Sequence, residues 1–164
     1  MVQFKLAKTN LDFKTISVLS KNIWTEHYTP IIGLDQVNYM LEKFQSEIAI
    51  QNQINIDNYK YYLIIYENTA IGYLSIKNND DALFLSKIYI DKSCRGKGFG
   101  KIAINFIEEQ AKDLNCQTIY LTVNKYNINS IMAYQKIGFI KTEELFIDIG
   151  NGYVMDDFRM EKLI

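Results

Sequence analysis

Gly96, Gly98 and Gly100 alternate in a short run that also holds Arg95, Lys97 and Lys101. The run follows the apolar segment ALFLSKIYI, 82–90, and precedes a stretch with helical periodicity. Backbone without a Cβ lets successive N–H groups approach a phosphate closely, and a helix N-terminus adds its partial positive charge. Three cations around the same loop suit a ligand with several phosphates. The bland alternative is a glycine-rich connection with solvated lysines. Position between strand and helix, glycine spacing and charge together favour the phosphate cradle.

Two common phosphate motifs fail here. A dinucleotide fingerprint starting at Gly96 needs glycine at 101, where Lys101 stands. A Walker A loop needs glycine at 95 and a hydroxyl residue at 102, where the chain has Arg95 and Ile102. The missing hydroxyl also speaks against a nucleotide phosphotransferase.

Arg95-Gly96-Lys97-Gly98-Phe99-Gly100 instead resembles the acyl-CoA loop of the GNAT superfamily of N-acetyltransferases: Arg or Gln, two residues, Gly, one residue, then Gly or Ala. A second block of that family follows downstream in NINSIMAYQKIGF, as Asn127, Ser130, Ile131, Tyr134, Lys136, Gly138 and Phe139. The resemblance covers residues 59–164 well and the N-terminal helices by their order. It implies one N-acetyltransferase domain over 1–164, with acetyl-CoA as co-substrate and no metal.

Carried over residue by residue, the resemblance implies that the backbone of Ile88, Tyr89 and Ile90 pairs with the pantetheine arm like another strand. The amides of Arg95, Gly96, Lys97, Gly98, Phe99, Gly100 and Lys101 would hold the pyrophosphate. Asn127 would hydrogen-bond the pantetheine side, and Tyr134 would lie near the thioester sulfur. The strands at 82–90 and 117–124 would splay apart to admit the cofactor.

The chemistry needs an oxyanion donor, a proton for the leaving thiolate and a group that relieves the attacking amine of its own proton. A phenol with a pKa near 10 can protonate a thiolate, which makes Tyr134 the candidate general acid; the alternative is a core tyrosine on a short helix. The oxyanion donor would be an amide near Tyr89 or Ile90. The base is less transferable. Some relatives carry an acid just before the valine of the later strand, and Thr122 stands there before Val123. Candidates are then His27, whose imidazole titrates near neutral pH, Glu26 beside it, or an ordered water. For His27 the alternative is a cap or surface residue.

Other polar residues read as structural. Cys94 beside the loop lacks a neighbouring base, so no covalent acyl-enzyme is expected. Asp156 and Asp157 on the last strand could pair with a cationic acceptor but are read first as solvated strand residues, and Asp80-Asp81 as a hairpin turn. The resemblance implies a primary amine of a small molecule or a peptide as the acceptor; Glu26, Asp35 and Asp148 near the acceptor region would favour a cationic small molecule. A non-catalytic acyl-CoA sensor with the same fold is the rival, motivated by Thr122.

These groups are positioned by an alternation of periodicities. Residues 3–8 read as a strand. With Asn10 as N-cap, Phe13, Ile16, Ser20, Ile23 and Trp24 predict a helix that Thr29-Pro30 stops. A second helix from Leu34 sets Val37, Met40, Leu41, Phe44 and Ile48 on one face, and 51–58 reads as loop. Strands follow at 59–66, 71–77 and 82–90, then the loop, then a helix with an apolar stripe of Ile102, Ala103, Phe106, Ile107, Gln110, Ala111 and Leu114. After a strand at 117–124 and a short helix ending at Gly138, the tail reads as a hairpin through Gly150-Asn151-Gly152. The order β-α-α-β-β-β-α-β-α-β-β gives an α/β fold with helices on both faces; the resemblance makes the sheet mixed and mostly antiparallel.

Composition sets the outer bounds. A chain of 164 residues, 48% hydrophobic, can bury a core of its own. Eighteen Lys and Arg against nineteen Asp and Glu leave a net charge of −1, so a nucleic-acid partner is not expected. Two cysteines and one histidine cannot build a structural zinc site. No apolar run spans a bilayer and residues 1–10 do not read as a leader, so neither a membrane partner nor export is expected and the cytoplasm is the expected location. Pairing of family members through sheet edges makes a homodimer the expected assembly, if any.

Overall fold

The computed structural model describes residues 1–164. Its elements are β1 (Val2–Leu6), α1 (Asn10–Ile32), α2 (Leu34–Gln45), α3 (Glu47–Asn55), β2 (Lys60–Tyr66), β3 (Thr69–Asn79), β4 (Ala82–Ile90), a 3-10 turn (Lys92–Cys94), α4 (Phe99–Asp113), β5 (Thr118–Asn124), α5 (Ile128–Lys136), β6 (Ile140–Gly150) and β7 (Tyr153–Leu163). The strands run in one sheet in the order β1-β2-β3-β4-β5-β7-β6. It is a mixed, mostly antiparallel sheet, with β4 and β5 parallel. The expected α/β order is present, with one further helix in its N-terminal half. Two compact units divide the chain: Met1–Lys77 with Leu85–Glu109, and Asn78–Phe84 with Gln110–Ile164.

In the first unit, side-chain alternation along β2 sends neighbours to opposite faces. Tyr61 and Leu63 join Tyr73, Phe13, Ile16 and Ile50 in a buried cluster beneath α1 and α3. Tyr62 meets Phe106 of α4, which also stacks on Phe4 at 4.2 Å. Helices therefore cover both faces of this part of the sheet. The α4 stripe is centred on Ala103, Ile107 and Ala111, all 0% exposed, with Ile104 rather than Ile102 turned inward; Ile102 is 42% exposed.

The helical boundaries differ from the sequence expectation at three points. Thr9, not Asn10, caps α1, in a capping box completed by Asp12. Burial raises the Asp12 carboxyl, but the Lys5 ammonium and the amides of Lys8 and Thr9 outweigh it and hold the group well below the usual carboxylate range. Pro30 does not stop α1. It lies in the last turn, where a missing N–H costs one terminal hydrogen bond, and the helix ends at Gly33 with φ 83°.

Residues 51–58 are not wholly loop. Ser46, at φ −67° and ψ 158°, breaks the helix after Gln45, and its hydroxyl caps α3 by accepting from the Ala49 amide. Ile48 consequently leaves the α2 face and is 71% exposed, whereas Ile50 is fully buried. Buried Gln45 fixes the break: it accepts from the Tyr73 hydroxyl at 2.7 Å and donates to Tyr61 at 3.1 Å.

In the second unit β7 runs antiparallel to both β5 and β6. β6 begins at Ile140, five residues earlier than the LFIDIG segment suggests, and is exposed along most of its length. Asn151 and Gly152 turn the hairpin with φ 56° and 79°.

Candidate active site

The glycine loop is built in the first unit. The Asp91 carboxylate caps the 3-10 turn by accepting from the Ser93 amide, and the Cys94 amide returns to the Asp91 carbonyl at 2.9 Å. The Ser93 hydroxyl and amide, with Arg95 adding to them, hold the Asp91 carboxyl below its ordinary value. Gly96 and Gly98 then take φ 77° and 84°, left-handed conformations that L side chains adopt at a cost. A Cβ on either would meet nothing within 4 Å, so conformation and not crowding demands these glycines. Gly100 is helical and would tolerate a Cβ, 3.9 Å from Ile90 Cδ1.

The α4 ladder opens with the Ile102 amide on the Gly98 carbonyl at 3.2 Å. The amides of Phe99, Gly100 and Lys101 precede it and form the positive end of the helix. Phe99 anchors that end, buried against the Tyr66 ring with centroids 4.9 Å apart. Arg95, Lys97 and Lys101 are exposed around it. Amides in a left-handed loop, a helix N-terminus and three cations fit a pyrophosphate group such as that of acetyl-CoA.

Arg95 also ties the loop to its surroundings. Its Nε donates to the Ile90 carbonyl at 2.9 Å, and its Nη2 pairs with Glu26 Oε2 at 3.3 Å. Lys92 takes the other Glu26 oxygen at 3.4 Å. Glu26 thus stands at the loop with both carboxylate oxygens engaged by cations. His27, next in α1, meets Tyr28 edge-on at 4.8 Å. Tyr28 and Tyr89 share a hydrogen bond of 3.0 Å, and Trp24 lies against both rings.

Ile88, Tyr89 and Ile90 form the half-buried end of β4. Gly72 of β3, a residue the sequence did not single out, fixes where that end lies. A Cβ at Gly72 would come within 2.2 Å of the Tyr89 carbonyl oxygen, and the Asp91 amide bonds the Ile71 carbonyl beside it. Gly72→Ala must therefore displace backbone. We expect it to cost about 1–3 kcal/mol, the range for forced overpacking, and to weaken acetyl-CoA binding through β4. Thermal unfolding and cofactor titration check this; unchanged values in both would show that β4 is not pinned there.

In the second unit, Asn127 is 5% exposed at the start of α5, its amide bonded to the Asn124 carbonyl at 3.0 Å, and its side chain makes no capping bond. Tyr134 is half-buried on the same helix, edge-on to Phe139 at 5.8 Å. Thr122 lies on β5. Asp148 bonds the Gly150 amide and serves the hairpin turn.

The expectation that Asp156 and Asp157 are both solvated is wrong. Consecutive strand residues face opposite ways, and β7 is an interior strand, so one carboxylate must enter the sheet's covered side. Asp157 is 3% exposed. Burial, with Asp156 adding to it, pushes its carboxyl up to about 6 against the opposing pull of Thr122 and Lys125. Asp156 pairs with Lys125 at 2.8 Å, and Lys125 with Glu144 at 3.0 Å. The sequence shows two adjacent aspartates on the last strand, but that one of them is buried follows only from the interior place of β7.

Residues 23–139 match the acetyltransferase (GNAT) family model. The chain belongs to the GNAT family. Among its relatives, the spermine/spermidine N(1)-acetyltransferase of Bacillus subtilis strain 168 is 25% identical over 140 residues, 79% of this chain and 92% of the relative. The PaiA N-acetyltransferase of Thermoplasma acidophilum, solved in complex with coenzyme A, superposes with a TM-score of 0.83 at 19% identity, covering 100% of this chain and 99% of that one. A chimera of the Vibrio cholerae spermidine N-acetyltransferase SpeG and hSSAT superposes with a TM-score of 0.72 at 21% identity, covering 99% and 94%. The chain is thus an acetyl-CoA-dependent N-acetyltransferase of the GNAT family. No helix is long and apolar enough to cross a membrane.

Proposed function

We propose that this GNAT enzyme moves the acetyl group directly from acetyl-CoA to a primary amine of a small polycation of the polyamine class, in a ternary complex. The observation that carries it is the loop from Arg95 to Lys101, with its two left-handed glycines ahead of the α4 N-terminus. When bound, acetyl-CoA supplies the thioester carbonyl that the amine attacks. The loop amides and Arg95, Lys97 and Lys101 hold the pyrophosphate. Ile88, Tyr89 and Ile90 offer backbone groups to the pantetheine arm, and an amide at Tyr89 or Ile90 faces the developing oxyanion. Asn127 orients the arm, and the Tyr134 hydroxyl gives its proton to the leaving sulfur.

The polyamine class is supported by the B. subtilis relative and by the partly exposed rings of Tyr28 and Tyr89, backed by buried Trp24, since aromatic ring faces attract cations. Glu26, with both oxygens engaged by Lys92 and Arg95, serves the loop's charge balance.

Thermal unfolding with acetyl-CoA, CoA and ATP tests the cofactor: at about 100 times the dissociation constant, binding adds about 2.7 kcal/mol. Stabilisation by both CoA species but not ATP is expected, followed by thiol release with spermine and spermidine. No shift with either CoA species would sink the loop assignment; thiol release with peptide amines alone would sink the acceptor class. Tyr134→Phe should lower kcat by about 100-fold or more, the low end of acid–base contributions, with acetyl-CoA affinity unchanged. Equal kcat would remove Tyr134 as the acid.

A further inference from the structure

Acetyl transfer must dispose of a proton from the amine, and at the place on β5 just before Val123, where some relatives carry an acid, this chain has the hydroxyl of Thr122. Beside it, β7 brings a carboxylate. Asp157 stands opposite Asn124 in antiparallel register, and Arg159 stands opposite Thr122, so all four share one face of the β5–β7 pair. The Thr122 hydroxyl interacts with the Asp157 carboxylate.

The cations around Asp157 are committed elsewhere. Arg159 pairs with Glu161 at 2.9 Å and lies 3.9 Å over the Tyr120 ring. Lys125, in the turn after β5, is held by Asp156 and by Glu144 of β6. On β6 the residue opposite Asp157 is Leu145. Asp157 is thus a buried carboxylate with a hydroxyl for a partner and no ion pair of its own. Such a group costs stability, and chains keep it where a proton has to be taken up near neutral pH.

Its place along β5 is also specific. Asn124 closes β5, and its carbonyl receives the Asn127 amide that starts α5, the helix carrying Tyr134. Buried Asn127 and buried Asp157 therefore sit at the same end of one strand.

We propose that Asp157 is the proton acceptor of the acetyl transfer, positioned by Thr122. The acceptor's ammonium first releases one proton to solvent; as the amine nitrogen then bonds to the thioester carbon and the C–S bond breaks, the nitrogen's second proton passes to the Asp157 carboxylate. The sulfur leaves with the Tyr134 proton, and solvent returns the proton from Asp157 to the Tyr134 phenolate, so the cycle closes. This rests on the acetyl transfer proposed above. A carboxyl displaced to about 6 is mostly ionised, yet still basic, at pH 7.

The test compares Asp157→Asn, Asp157→Glu, Thr122→Val and His27→Gln with the unaltered chain. It measures kcat/KM for spermidine from pH 5 to 9 and acetyl-CoA affinity by titration. Asp157→Asn should lose about 100-fold in kcat/KM, the usual worth of a positioned base, and its acidic limb near pH 6, with acetyl-CoA affinity within twofold. Asp157→Glu should recover a substantial part of the rate. Thr122→Val, which removes a bond favouring the charged carboxylate, should move the limb to higher pH and provides a readout even if Asp157→Asn folds poorly. His27→Gln should keep the limb. Asp157→Asn within threefold of the unaltered chain, or a limb that follows His27, would overturn the proposal while leaving acetyl transfer standing. Failure of the unaltered chain to bind acetyl-CoA would overturn both.

Discussion

Gly98→Asp is expected to weaken acetyl-CoA binding by about 100-fold or more, and Gly98→Ala by far less. Two effects add in the aspartate variant. Any L residue at φ 84° carries left-handed strain, of about 1–2 kcal/mol. The carboxylate adds a charge effect: at about 5 Å from one phosphate charge, with an effective dielectric constant of about 20, repulsion is about 3 kcal/mol. Nothing lies within 4 Å of the Cβ position, so neither side chain is blocked by the protein itself. Alanine carries the strain without the charge, and the ratio of the two affinities isolates the electrostatic part. That ratio should shrink as salt is raised, because the loop is exposed. Equal affinities for the two variants would show that no phosphate approaches the α4 N-terminus.

The loop could be read from the chain because its determinants are local. Glycine at a left-handed position, cations beside it and an amphipathic helix behind it are each written within a few residues, and the structure keeps all three around Arg95–Lys101. Local signals also gave the β5, α5 and hairpin segments. What escaped depends on partners distant in sequence. Ser46 has an ordinary capping residue's identity, but its break of the helix is fixed by Gln45, which is held by Tyr61 and Tyr73 from the sheet. Gly72 is unremarkable in the run IGYLSIK until Tyr89, seventeen residues on, places a carbonyl against it. Asp157 looks like any charged strand residue until β5 and β6 are known to flank it on both sides.

The stability of the protein should expose the same carboxylate without any substrate. Asp157 moves from an ordinary value of 3.8 to about 6 on folding. Between those values the folded state binds a proton that the unfolded chain has lost, so this group's contribution to stability falls as pH rises through the window. Above it the full penalty applies: about two pH units, or roughly 3 kcal/mol. Asp157→Asn removes the ionisation and keeps an oxygen able to accept from Thr122. At pH 7.5 the variant should therefore be more stable by up to about 3 kcal/mol, roughly 6–12 °C in Tm for a chain of this size, and at pH 4 the difference should fall below about 1 kcal/mol. Denaturant unfolding of both proteins at the two pH values decides it. A gain at pH 7.5 with a loss of turnover would mark a residue retained for its chemistry at the expense of the fold. A variant less stable at both pH values would mean instead that the charged carboxylate is a structural partner, and the pH dependence ascribed to it would have to come from elsewhere.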